Sequence, residues 1–197
     1  MTDERQRRRD RSARTLVPRW VLHATKAMRN VYDVYRRFID FEEQAAAIYL
    51  RMASQFSPEN PELSALWLNL GIQEKAHAGL LQFCLAEELL SGTLPADEEI
   101  RNIEALFSRL TKSASNPDLS VEESFRIAIE LEKSEVNAIY DSLTKPLHAS
   151  PYLLRQKIAT SLPDHLEHLL EESRRFNVPE EALRELKRPG GGDEAKG

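Results

Sequence analysis

Leu63-Ser64-Ala65-Leu66-Trp67-Leu68-Asn69-Leu70-Gly71-Ile72-Gln73-Glu74-Lys75-Ala76-His77-Ala78-Gly79-Leu80-Leu81-Gln82-Phe83-Cys84 decides how this chain folds. Read in steps of three and four residues, it gives one seam: Leu63, Trp67, Leu70, Glu74, His77, Leu81 and Cys84. That periodicity belongs to a helix with one face against a core. The seam is apolar except at its middle, where a carboxylate and an imidazole share one side at i and i+3. An ionised carboxylate on a buried face costs on the order of several kcal/mol unless it is paired or metal-bound.

The same interruption recurs on either side. Upstream, the seam runs Phe38, Glu42, Ala45, Tyr49, Met52, Phe56; downstream it runs Phe125, Ala128, Glu132, Glu135, Ile139. Three helices bringing acids to matching depth add mutual repulsion to desolvation, and divalent cations answer both. A mixed carboxylate and imidazole set suits iron or manganese better than a metal that prefers thiolates. Spacing supports the grouping: Glu42 to Glu74, Glu132 to Asp164 and Glu135 to Glu167 are each 32 residues apart. The chain therefore reads as two imperfect copies of a helix hairpin, with Asp164-x-x-Glu167 where the first copy has Glu74-x-x-His77. Plainer readings exist: Glu74 and His77 alone would suit a solvated face, and Glu135 an exposed partner for a neighbouring lysine. Cys84, Met52, Trp67 and Tyr49 fit ordinary core packing, and His23 and His148 lie away from the cluster.

Long helices are predicted over 25–55, 61–90, 120–145 and 151–176, with Pro163 an awkward guest in the last. Ser57-Pro58-Glu59-Asn60-Pro61 ends the first and starts the second, Asn60 serving as N-cap and Pro61 as first helical residue. Ser91-Gly92 stops the second helix, a short helix over 97–112 lies in the connection, and Ser120-Val121-Glu122-Glu123 is a capping box for the third. Short turns within each pair and a long link between pairs predict an all-α fold. The architecture is a ferritin-like four-helix bundle, two antiparallel hairpins joined by a long crossover containing a short helix. Residues 1–24 form a basic arm, 25–178 the bundle and 179–197 a charged, Gly-rich tail.

Glu42-Glu43-Gln44-Ala45-Ala46-Ala47-Ile48-Tyr49, Glu74-x-x-His77 and Ala128-Ile129-Glu130-Leu131-Glu132-Lys133-Ser134-Glu135 resemble the metal-binding helices of rubrerythrin and its ferritin-like relatives, over residues 28–176. The resemblance implies a di-iron site. In it Glu42 and Glu132 are terminal or bridging ligands, Glu74 bridges, His77 caps one metal, and Glu135 is an additional carboxylate. Tyr49 resembles a tyrosine that packs beside or supports the ligands. Where the family carries a second Glu-x-x-His, this chain has Asp164-His165-Leu166-Glu167-His168. Repeat spacing favours Asp164 and Glu167, whereas the apolar seam favours His165 with His168 one turn on, and the choice stays open. Rubrerythrins also carry a cysteine-ligated rubredoxin domain; with Cys84 alone, this sequence supplies no such ligands, and peroxide or dioxygen chemistry would need an external reductant. The alternatives are iron storage or handling without turnover, and a non-catalytic bundle with a degenerate site.

Composition bounds the remaining classes. The 197 residues are 41% hydrophobic and 30% charged, as in a water-exposed helical domain, and hold one cysteine, which excludes an internal disulfide and a Cys-x-x-Cys metal site. No apolar run is long enough for a membrane span or a signal segment, so a cytoplasmic location is expected. Seven arginines against three acids give residues 1–19 a charge of +4, so the rest carries −9 of the chain's net −5. The arm is either a solvated tail or a contact for an anionic partner, nucleic acid or a membrane surface. A homodimer or larger homo-oligomer is expected.

Overall fold

A computed structural model describes residues 19–91, 93–144, 165–179 and 181; of residues 19–30, 135–138, 141 and 165 it describes the backbone alone. Among the described residues there are six helices and no strand. They are α1 (Arg19–Phe56), α2 (Pro61–Ala86), α3 (Asp97–Ala114), α4 (Val121–Glu132), α5 (Glu135–Thr144) and α6 (His165–Arg175). No helix among them is long and apolar enough to cross a membrane.

The punctuation in the sequence acts as expected at two starts. Asn60 accepts the Leu63 amide at 3.1 Å ahead of Pro61, and Ser120 and Glu123 exchange the two bonds of a capping box, at 3.2 and 3.0 Å. Each satisfies first-turn amides that would otherwise go unpaired. Boundaries differ elsewhere. The backbone of α1 is helical from Arg19, so part of the expected arm (residues 19–24) belongs to the helix, while residues 1–18 lie outside the described residues. α2 ends at Ala86 and not near residue 90, because Glu88 turns left-handed (φ 56°) and the Leu89 amide closes on the Cys84 carbonyl at 2.9 Å. Leu89 and Leu90 still pack on the core from beyond the helix, which is why their apolarity reads as helix in the sequence. α6 ends the same way, with Asn177 at φ 56° and the Val178 amide on the Ser173 carbonyl.

The third helix is not continuous. α4 stops at Glu132, the Ser134 amide bonds to Leu131 three residues back, and Ser134 Oγ donates to the same carbonyl at 2.6 Å. A new helix, α5, then starts at Glu135. Residues 145–164, which hold the expected turn, Pro163 and Asp164, lie outside the described residues.

Contacts fix the helix directions. Ser64 of α2 donates to the Ala53 carbonyl of α1 at 2.7 Å, and at the other end Tyr35 accepts the Ser91 amide at 2.8 Å, so α1 and α2 are antiparallel. α3 crosses back along α1: Arg37 pairs with Glu104 at 2.7 Å and Arg51 reaches Ser115 at 2.9 Å. α4 and α5 then run parallel to α2, for Tyr49 meets Glu132 and Tyr35 donates to the Leu143 carbonyl at 2.7 Å. α6 packs on α4, and Arg175 near its end pairs with Glu62 at the start of α2. The core these helices enclose includes Phe38, Tyr49, Met52, Trp67, Leu70, Leu81 and Phe125, and it holds every described seam position except the half-buried Phe56 at its edge.

Candidate metal centre

Halfway along that core, Glu42 from α1 and Glu74 and His77 from α2 converge. One donor atom of each lies within 4.8 Å of the other two, and all three residues are buried. The i, i+3 spacing on α2 closes the first contact: His77 Nδ1 lies 2.9 Å from Glu74 Oε2, and Glu42 Oε2 is 3.8 Å from the same nitrogen. Tyr140 of α5 lays its ring against the imidazole, centroids 4.8 Å apart. Glu132, at the last turn of α4, is buried beside this group; its Oε1 accepts the Tyr49 hydroxyl at 2.7 Å.

Burial sets the electrostatics. Glu74 is pushed up to about 8, first by desolvation and then by the charges of Glu42 and Glu132, against the lowering effect of its bond to His77. For His77 burial pulls the pKa down, but the Glu42 and Glu74 carboxylates outweigh it and raise the value to about 10. Tyr49 is raised well above its ordinary value, mainly by burial and then by the nearby carboxylates. Both groups thus hold their protons more tightly than the free side chains do, which offsets part of the repulsion that a cation would otherwise neutralise.

The residues fit a divalent ion on two counts. Two carboxylates and one imidazole are a donor set that iron, manganese or zinc accepts. Glu42 Oε1 is buried with no hydrogen-bond partner among the described residues, an arrangement that is costly for a carboxylate oxygen lacking a cation. Aromatic packing seals the site from one side, with Tyr49 stacked on Trp67 (6.1 Å) and Trp67 edge-on to Phe125 (4.9 Å).

Of the residues predicted from sequence, Glu42, Glu74 and His77 are brought together and Glu132 is placed beside them. Glu135 is the first residue of α5, and its side chain lies outside the described residues, as do the His165 side chain and all of Asp164. His168 and Glu167 are exposed on α6, so His168 is not brought to the group. Tyr140 was missed. A continuous third helix puts Ile139 on the seam, but with the break at Lys133-Ser134 Tyr140 is the deeper of the two, 2% exposed against 8%. Comparison with protein-family models, with curated proteins and with solved structures found no match.

Proposed function

We propose that this chain is a carboxylate-and-histidine metal protein of the ferritin-like, rubrerythrin type, which holds iron at Glu42, Glu74, His77 and Glu132 and reacts with peroxide or dioxygen using an external reductant. The observation that carries the reading is the buried Glu42, Glu74 and His77 group, whose donors lie within 4.8 Å of one another. Helix directions support it as well, because an antiparallel α1–α2 pair followed by a crossover along α1 is the order that bundle type requires. Two bound irons would supply the two electrons that cleave an O–O bond. Glu74 and His77 would hold the metal in their deprotonated forms, so uptake would release their protons. Tyr49 orients Glu132 through its hydroxyl, and Trp67 and Phe125 keep water from that side of the site.

A second reading, iron handling without turnover, is favoured by the three-donor group, which suffices for one ion, and by the exposure of His168. Metal analysis of protein purified without added metal, wild type beside Glu74→Ala, tests both. Bound iron that is lost in the variant is expected. Anaerobic loading with Fe²⁺ and then peroxide separates the readings: two irons per chain with rapid peroxide consumption support the redox protein, and one iron without turnover supports handling. Failure to take up any iron would sink both.

A further inference from the structure

α2 is apolar on two faces. One is the seam facing α1 and the metal centre. On the other, Leu68, Ile72 and Phe83 stand 44%, 56% and 38% exposed, large apolar side chains that no described residue covers. At 100° per residue, Ala65, Leu68, Ile72, Gly79, Phe83 and Ala86 fall within an arc of about 60°, a stripe running roughly 32 Å along the helix. Leu50 of α1 leans over Gly71 at its border and widens it.

Charge is missing from this face. In a chain with 30% charged residues, Lys75 is the one ionisable side chain exposed on α2 from Leu63 to Ala86, and it is already paired with Glu43 of α1. A helix face meant for water carries charged residues. The stripe is also the same read from either end. About the midpoint between Lys75 and Ala76, Ala65 mirrors Ala86, Leu68 mirrors Phe83, and Ile72 mirrors Gly79. Gly79 is the small member of its pair, and a Cβ built on it meets nothing within 4 Å, so the space over it is open.

Self-complementarity of this kind is what a twofold interface demands, since the same patch must serve both sides. We propose that the outer face of α2 is the interface of a homodimer, with α2 packed antiparallel on α2 of a second copy about a twofold axis between Lys75 and Ala76. In that register Leu68 meets the partner's Phe83, and Ile72 fills the space over the partner's Gly79. No unpaired charge is buried, because Lys75 brings its own counterion in Glu43. The proposal does not depend on the metal reading, as the stripe lies on the side of α2 away from Glu74 and His77.

Sedimentation of the full chain at tens of micromolar should give a dimer. Ile72→Glu, at a position more than half exposed, should leave helicity and thermal unfolding of the monomer intact while weakening association at least about a hundredfold, since the twofold axis buries the new charge twice. Register is read by oxidation. The double variant Ile72→Cys with Gly79→Cys should form a disulfide-linked dimer, whereas each single variant should not, its cysteine lying roughly 10 Å along the helix from its own copy, beyond disulfide reach. A monomeric wild type, a dimer untouched by Ile72→Glu, or single variants that cross-link as well as the double one would each overturn the proposal.

Discussion

The α1–α2 hairpin carries its buried acids on two unbroken helices, whereas the matching stretch of the second half is cut in two directly after Glu132. In the first half, Glu42, Glu74 and His77 sit mid-helix, so their relative positions are set by helical repeat and by the packing of Ala46 against Gly71. In the second, Glu132 is the last residue of α4 and Glu135 the first of α5. A turn of two residues stands between them, and the i, i+3 relation that a continuous helix would impose no longer holds. Glu132 accepts a hydrogen bond from a side chain of the other half, Tyr49. As the first residue of a helix, Glu135 also has a plain electrostatic reason to be acidic, the dipole at an N-terminus. Equal spacing in sequence therefore does not give two like halves among the described residues: the first half brings Glu42, Glu74 and His77 together by itself, and from the second half the described residues bring Glu132, bonded to Tyr49 of the first.

The largest effect should come from testing that inequality directly. Glu42→Gln with Glu74→Gln should abolish metal retention, while Glu132→Gln, which removes one ligand and leaves the Glu42, Glu74 and His77 group in place, should weaken retention without abolishing it. Metal content after dialysis against a graded chelator measures both. Equal loss in the two variants would break the comparison and make the second half a full partner.

Next in size is the pH response of the metal-free protein. Glu74 and His77 both bind protons more tightly when folded than when unfolded, so the folded state holds the excess protons and stability falls as pH rises. The loss runs from the ordinary 4.5 up to about 8 for Glu74, and from 6.5 up to about 10 for His77. Chemical denaturation of the metal-free chain between pH 5 and 9 should show a decline on the order of a few kcal/mol. Metal should reverse the sign, because its uptake expels those protons and strengthens with pH. The slope should be lost or reversed in Glu42→Gln with Glu74→Gln, since burial alone then lowers His77 and a lowered pKa makes stability rise with pH, and it should be largely kept in Glu132→Gln.

Tyr49→Phe probes the bond between the halves. It removes the hydroxyl that Glu132 accepts at 2.7 Å and leaves a buried carboxylate with one partner fewer. Loss of about 1–3 kcal/mol in the metal-free protein is expected from urea midpoints. A neutral result would mean that Glu132 is held from its own half.

The contrast between halves also marks what the sequence can show. Seam positions were legible because the 3.6-residue period and the cost of a buried charge act locally: Glu42, Glu74, His77 and Glu132 are buried where steps of three and four place them. Asn60 and Ser120 were legible as caps for the same reason, being satisfied within three residues of themselves. The break after Glu132 was not, since Lys133-Ser134 holds neither Gly nor Pro, and the bonds from Ser134 to the Leu131 carbonyl show only in the structure. Tyr49 was legible as a seam residue, but its bond to Glu132 joins positions 83 apart and depends on how α1 meets α4. The stop at Glu88 is equally tertiary, as Leu89 and Leu90 leave the helix to reach the core.

The smallest expected effect concerns that break. Ser134→Ala removes the hydroxyl that donates to the Leu131 carbonyl at 2.6 Å, and it also replaces serine with the best helix former. The two changes oppose each other, so stability should shift by no more than about 0.5–1 kcal/mol. What decides the matter is hydrogen exchange. If packing sets the break, the first-turn amides of α5 at residues 135–138 should still exchange far faster than those at 45–48 in the uninterrupted α1. If the serine alone sets it, the two stretches should become alike in the variant, Tyr140 should lose its place against His77, and the inequality between the halves would rest on one hydroxyl.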